Sequence, residues 1–278
     1  MGSGIAEVVA RSGMAVSVYE PESAPLDASR ARVEQSVARA VDGGKLDATE
    51  AAGLLERIAW TSDLDALAGS DAVVEAVVED VEVKRRVFER VDALAGEARV
   101  IASNTSSIPI AELASATARP ERVCGLHFFS PVPVMRLVEI VVALDTSLDT
   151  LAAAEGLAEQ LGKRSIRTKD RAGFVVNFLL VPYLMAGVRM LEDGFATRED
   201  IDDGMRLGCG HPMGPLTLCD MIGLDVLESV CDSLYDEFKR PEYAPPALLR
   251  RMVAAGRFGR KSGRGFYDYE PARAAAPA

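Results

Sequence analysis

Short β-branched runs alternate with amphipathic helical stretches from Gly2 to Asp170, and this alternation limits the chain to few architectures. Ser3 to Gly13 (SGIAEVVARSG) reads as a helix closed by its glycine, and Ala15 to Glu20 (AVSVYE) as a strand ending in an acid. A helical pair follows, about Leu26 to Val41 and Ala48 to Arg57, joined by the turn DGGKLD. The strands AVVEAV, from Ala72, and RVIASNT, from Arg99, flank the helix VEVKRRVFERVDALAG. After the helix IPIAELASA come the strands VCGLHFF and LVEIVVA, a helix near Leu151 to Leu161, and SIRTKD. Strands joined by crossover helices build βαβ units in a mostly parallel sheet, and continuous apolar runs suit strands covered on both faces.

The pattern changes after Asp170. From Phe174 to about Val253 only helices are expected, separated by Gly/Pro loops such as GCGHPMGP. A chain of 278 residues can bury two cores. We therefore expect an α/β domain over residues 1–172 and an all-helical domain over 173–278, the latter ending in an Ala/Pro-rich tail without packing. A net charge of −11 argues against nonspecific binding to nucleic acid or an anionic membrane, but not against an anionic ligand held in a local basic pocket. The apolar stretch from Phe174 to Leu191 is interrupted by Asn177, Pro182 and Arg189, so it reads as a buried or interface helix and not as a membrane span. Cys124, Cys209, Cys219 and Cys231 lack CxxC or metal-ligand spacing, which reads as buried or partly buried thiols and no metal. With no leader pattern at Met1, a cytoplasmic protein is expected.

A Rossmann-type unit opens with a strand, a G-x-G-x-x-G turn, and a helix whose N-terminus receives a pyrophosphate. Here the helix and the second strand are present, while the first strand and first two glycines are not. Gly2 then reads as the third glycine. Glu20, at the end of the next strand, falls where an acid binds the adenosine ribose of NAD. From the residues alone, an N-capping turn followed by a solvated carboxylate stands equally open.

A second constellation is more specific: SNTSSI after a strand, then GLHFFSPVPVMRLVEIV, DRAGFVVNFLL, GHPMGP and GRKSGRGFYDY. With these motifs the chain resembles the 3-hydroxyacyl-CoA dehydrogenases, almost continuously from Gly2 to Tyr269. The resemblance implies an NAD-dependent enzyme acting on an acyl-CoA, with a helical hairpin inserted in its nucleotide-binding domain. It also implies a homodimer formed through the C-terminal domain. By the same resemblance His127 is the catalytic base, Glu139 its carboxylate partner, and Ser106 and Asn177 the polar groups around the substrate oxygen. Gly2, Glu20, Glu79, Lys84, Ser106 and Ser130 then fall at the cofactor, and Ser36 at the CoA. Gly43 stands where some members carry a basic CoA contact, with Lys45 close by.

The chemistry of the residues runs alongside. Oxidising a secondary alcohol needs a base for the hydroxyl proton while hydride leaves, and imidazole is the usual choice. The chain holds two histidines. His127 ends an apolar strand, whereas His211 lies in a Gly/Pro loop and reads as structural. A carboxylate at Glu139 amid apolar neighbours is costly unless paired, and an imidazole partner would meet that cost. Without the resemblance, a satisfied core histidine remains open for His127, as do a loop cap for Ser106, a helix-end hydrogen bond for Asn177 and a solvated helix start for Glu79 to Lys84.

Three departures from the family pattern matter. Ser130 replaces an asparagine, while Ala172 and Phe178 replace the proline and arginine of PGF-x-x-NR. Two rival readings remain: a cofactor-impaired, non-catalytic binding or structural protein on the same fold, and a reductase of the 3-hydroxyisobutyrate or 6-phosphogluconate type. The second needs a catalytic lysine after Gly173, where this chain reads FVVNFLL. Met1 is expected to be the methionine of G-x-G-T-M-G, with about ten upstream codons encoding the first strand. Glu20 also generates a prediction about the cofactor. Its neighbours Pro21, Glu22 and Ser23 offer no arginine for a 2′-phosphate, so NAD should be preferred to NADP. Steady-state kinetics with both cofactors check this, and equal or better efficiency with NADP contradicts it.

Overall fold

The computed structural model describes residues 1–269, so the Ala/Pro-rich end lies outside the described residues. Two compact units divide the chain, Met1–Arg171 and a second beginning at Ala172. In the first, β1 (Val16–Tyr19) and β2 (Ile58–Thr61) pair in parallel as a two-stranded sheet. A second sheet runs, in order, through β3 (Ala72–Glu75), β4 (Val100–Ser103), β5 (Val123–Phe128), β6 (Leu137–Val142) and β7 (Arg164–Lys169). Its pairs are parallel except β5 with β6.

This is a doubly wound arrangement opened where the first strand of the 3-2-1-4-5-6 order belongs, because β1 and β3 do not pair. Helix α1 (Gly2–Arg11) joins the two parts. Its Ile5 and Val8 pack with Val100, Ala102 and Leu126 of the larger sheet. Its Ala10 packs with Ile58 of β2 and with Val33 and Leu54 of the inserted helices α2 (Ser23–Asp42) and α3 (Ala48–Glu56). Helix α2 starts earlier than expected, since Pro25 falls in the first turn, where no N–H is needed. The strand IAWT is not anticipated from sequence. Four residues carry too little period, and only their residue-by-residue pairing with β1, from Val16 opposite Ile58 to Tyr19 opposite Thr61, makes them a strand.

Period-two alternation gives the larger sheet two unlike faces. Val100, Ala102, Cys124, Leu126, Val138 and Ile140 pack with α1 and with α6 (Leu148–Gln160). The alternate residues therefore face the other way, and they include Glu75, Ser103, His127 and Glu139, all buried. Helices α4 (Val81–Leu94) and α5 (Ile110–Ala114) complete this unit. Asp170 accepts from the first amides of α5, Ile110 and Ala111, at 2.9 and 2.7 Å.

The second unit contains helices α7 (Val176–Glu192), α8 (Arg198–Gly208), α9 (Pro215–Ile222), α10 (Leu224–Phe238) and α11 (Ala247–Ala254). Gly173 precedes α7 with φ +75°, and a Cβ there would lie 2.7 Å from Leu234, so turn and contact both demand glycine. Val181, Leu184, Met185 and Val188 line the inner side of α7 at helical spacing. Phe178, in place of the family arginine, packs edge-on against Phe238 with ring centroids 5.4 Å apart. Among the described residues no helix is long and apolar enough to cross a membrane. The cysteines are free thiols, three buried; Cys209 is exposed, against expectation, because it caps α8 beyond the packed turns.

Two buried carboxylates fasten this unit. Asp202 accepts from the Leu216 and Thr217 amides at the start of α9 and from the Tyr267 hydroxyl. Asp220 accepts from the Phe266 and Tyr267 amides and the Tyr269 hydroxyl, each at 2.9 Å. Burial pushes the Asp220 carboxyl up, while these donors pull it back. A Cβ on Gly265 would stand 1.9 Å from Asp220 Oδ1. We expect Gly265→Ala to cost about 1–3 kcal/mol, as overpacking does. Thermal unfolding reads it as a Tm lower by several degrees, and an unchanged Tm contradicts the clamp.

Candidate active site

Antiparallel pairing of β5 with β6 sets His127 directly opposite Glu139. Nδ1 of His127 lies 2.7 Å from Oε2 of Glu139, with His127 6% and Glu139 0% exposed. A carboxylate can only accept, so Nδ1 carries the hydrogen and the neutral ring keeps Nε2 as its basic nitrogen. Phe129 meets the imidazole edge-on, at a centroid distance of 4.7 Å. Asn104 Oδ1 accepts from the Phe128 amide at 2.9 Å, tying the loop after β4 to the end of β5. Ser130 follows, exposed, on a cis bond to Pro131.

A chain of charges runs beside this pair. Lys84, on α4 and 1% exposed, donates to Oε1 of Glu75 at 2.7 Å and pairs with Oε2 of Glu79 at 3.2 Å. Glu75 Oε2 accepts from Ser103 Oγ at 2.6 Å. Glu79 Oε1 accepts from the Thr105 hydroxyl, from Ser107 Oγ at 2.9 Å and from the Ser106 amide at 3.2 Å. Burial pushes the Glu79 carboxyl up, but the Thr105 hydrogen bond, the Lys84 charge and the Ser107 hydrogen bond together hold it below its ordinary value. Glu79 and Lys84 thus belong to one network and not to a solvated helix start. Sequence reasoning missed Glu75, Ser103, Asn104 and Thr105. Two signals were present: an acid at an inward position of AVVEAV, and a lysine in helical register with the buried Phe88 and Val91.

The N-terminal turn of α1 lies at the same end of the sheet. A Cβ on Gly2 would meet Ala76 at 3.7 Å, and one on Gly4 would meet Val132 Cβ at 3.0 Å, so the turn is cradled between the loops after β3 and β5. Arg32 Nε donates to Ser3 Oγ at 3.3 Å, adding positive charge to amides already suited to an anion. Glu20 follows β1 and is part-buried. Small residues at a cationic helix start, with an acid at the next strand end, fit the pyrophosphate and ribose of a dinucleotide. Ser36 stands part-buried on α2. Asn177 belongs to the second unit, in the first turn of α7. His211, in that unit, has Nδ1 3.1 Å from the Tyr183 hydroxyl.

A sheet of this kind and a carboxylate-backed histidine fit a nicotinamide-linked dehydrogenase, and comparison with known proteins shows that class. Residues 1–171 match the family model described as 3-hydroxyacyl-CoA dehydrogenase, NAD binding domain. Residues 173–269 match 3-hydroxyacyl-CoA dehydrogenase, C-terminal domain. The chain is 52% identical to a 3-hydroxybutyryl-CoA dehydrogenase of Mycobacterium tuberculosis, over 97% of this chain and 95% of that one. It is 42% identical to the human mitochondrial hydroxyacyl-coenzyme A dehydrogenase, over 97% of this chain and 88% of that one. The crystal structure of (S)-3-hydroxybutyryl-CoA dehydrogenase from Ralstonia eutropha superposes with a TM-score of 0.91 at 45% identity, covering 98% of this chain and 96% of that one. The chain belongs to the 3-hydroxyacyl-CoA dehydrogenase family.

The paired geometry yields a mutational prediction. His127→Ala should lower turnover by ~10²-fold or more, the scale of a lost acid–base group. Glu139→Gln should also slow turnover while leaving NADH affinity nearly intact. Kinetics and NADH titration measure both, and near-normal turnover in the histidine variant rules out this assignment.

Proposed function

We propose that this protein interconverts (S)-3-hydroxyacyl-CoA and 3-oxoacyl-CoA with NAD, on short chains such as 3-hydroxybutyryl-CoA. The observation that carries the reading is the buried His127–Glu139 pair at the edge of a nucleotide-binding sheet. The names of the similar dehydrogenases support the short-chain substrate.

In oxidation, Nε2 of His127 takes the C3 hydroxyl proton, and Glu139 stabilises the imidazolium that forms. Bound NAD supplies the acceptor for the C3 hydride. In reduction, the same nitrogen returns the proton to the oxygen. Ser106 is assigned a hydrogen bond to the C3 oxygen, as is Asn177 from the second unit. Ser106 has its amide fixed by Glu79, which supports that assignment. Gly2 and the first turn of α1 receive the pyrophosphate, and Glu20 receives the adenosine ribose. Glu79, Lys84 and Ser130 line the cofactor, and Ser36 meets the CoA. We place the protein in the cytoplasm as a homodimer formed through its second unit, where the large apolar side chains of Leu179, Phe195 and Leu207 are exposed.

The test is NADH formation from (S)-3-hydroxybutyryl-CoA and NAD, with the R enantiomer as control. Turnover of the S ester alone is the expected result. A purified chain that binds NADH but turns over neither ester refutes the reading in favour of a non-catalytic binding protein.

A further inference from the structure

Glu75 has no part in the reaction as described above, yet it is buried beside the site with three donors on its carboxylate. It ends β3 opposite Ser103, which ends β4 in the parallel register. Both side chains point to the face that carries His127, so the Ser103 hydroxyl reaches Glu75 Oε2 across neighbouring strands. Glu75 Oε1 accepts from the Val77 amide at 2.6 Å and from the ammonium of Lys84. One carboxylate thereby holds the end of β4, the first residues of the loop after β3, and a lysine on α4.

Lys84 passes that hold onward. Its three ammonium hydrogens face Glu75, Glu79 and, at 3.4 Å, the Val77 carbonyl. Glu79 is partly exposed and in turn gathers the Thr105 and Ser107 hydroxyls and the Ser106 amide. The order is therefore sheet, Glu75, Lys84, Glu79, Ser106 loop. Buried charge enforces it. An ammonium so little exposed must keep carboxylate partners, and with Glu75 neutral its full pull would fall on Glu79. Glu79 would be drawn inward, away from the loop it fastens.

We propose that Glu75 is a positioning residue for the cofactor site, acting through Lys84 on Glu79 and the Ser106 loop. The proposal rests on the functional reading above for the identity of the cofactor, but its physical content belongs to this chain alone. Glu75→Gln keeps the side chain's shape, removes the charge and turns one accepting oxygen into a donating NH2. On the ligand-free protein, hydrogen exchange of residues 76–80 and 104–108 should quicken on the order of tenfold, with the second unit unchanged. NADH affinity, read by fluorescence titration, should fall on the order of tenfold. In a Lys84→Met background the same substitution should have little further effect on either readout, because the intermediary is gone. Unchanged exchange in Glu75→Gln, an unchanged NADH affinity despite quickened exchange, or full additivity with Lys84→Met each overturn the proposal. An unmodified protein that binds no NADH overturns the functional reading instead, and the exchange measurement still decides whether Glu75 holds the loops.

Discussion

The antiparallel pairing of β6 with β5 is the constraint on which the site depends. Every other neighbour in the sheet is parallel, and a parallel partner is reached only through a long crossover. Reversing one strand lets residues twelve apart stand directly opposite each other, as His127 and Glu139 do. Glu139 has no exposed surface, and an imidazole meets its carboxylate at 2.7 Å, which offsets the cost of burying it. The register that forms the sheet thus also selects the histidine tautomer.

The same solution recurs at other buried acids of this protein. Glu75 collects an ammonium, a hydroxyl and an amide. Asp202 collects the two amides that open α9, and Asp220 collects two amides and a phenol. Each carboxylate joins segments far apart in sequence. Each leaves no room for slack, since a buried acid that loses a donor retains its desolvation cost. The segment 266–269 is held in this way by Asp220 without regular secondary structure.

The element pattern was largely legible in the sequence because its helices and strands carry long periods. Helices α1, α4 and α7 and the six-residue strands β5 and β6 are of this kind. β2 was not legible, because four residues beside a helix have no period of their own and become a strand only through pairing with β1. At the site, His127 and Glu139 stood out as a rare imidazole and an isolated acid in apolar runs. Glu75 and Asn104 stood out less, because an acid ending a strand and an asparagine in a Ser/Thr loop are ordinary solvated residues until their partners are known.

By itself the sequence determined the residue types and their local periods. It set the alternation that makes βαβ units, the glycines at Gly2 and Gly173, and the presence of one histidine at the end of an apolar strand. Only the tertiary structure decided the direction of β6, the break between β1 and β3 spanned by α1, and the inward turn of Lys84 between two glutamates. The physical reason is range. Periodicity and turn chemistry act over a few residues and are written in order along the chain. A buried charge is settled by partners nine to twenty-eight positions away, Lys84 and Ser103 for Glu75, and only packing brings them within hydrogen-bond reach.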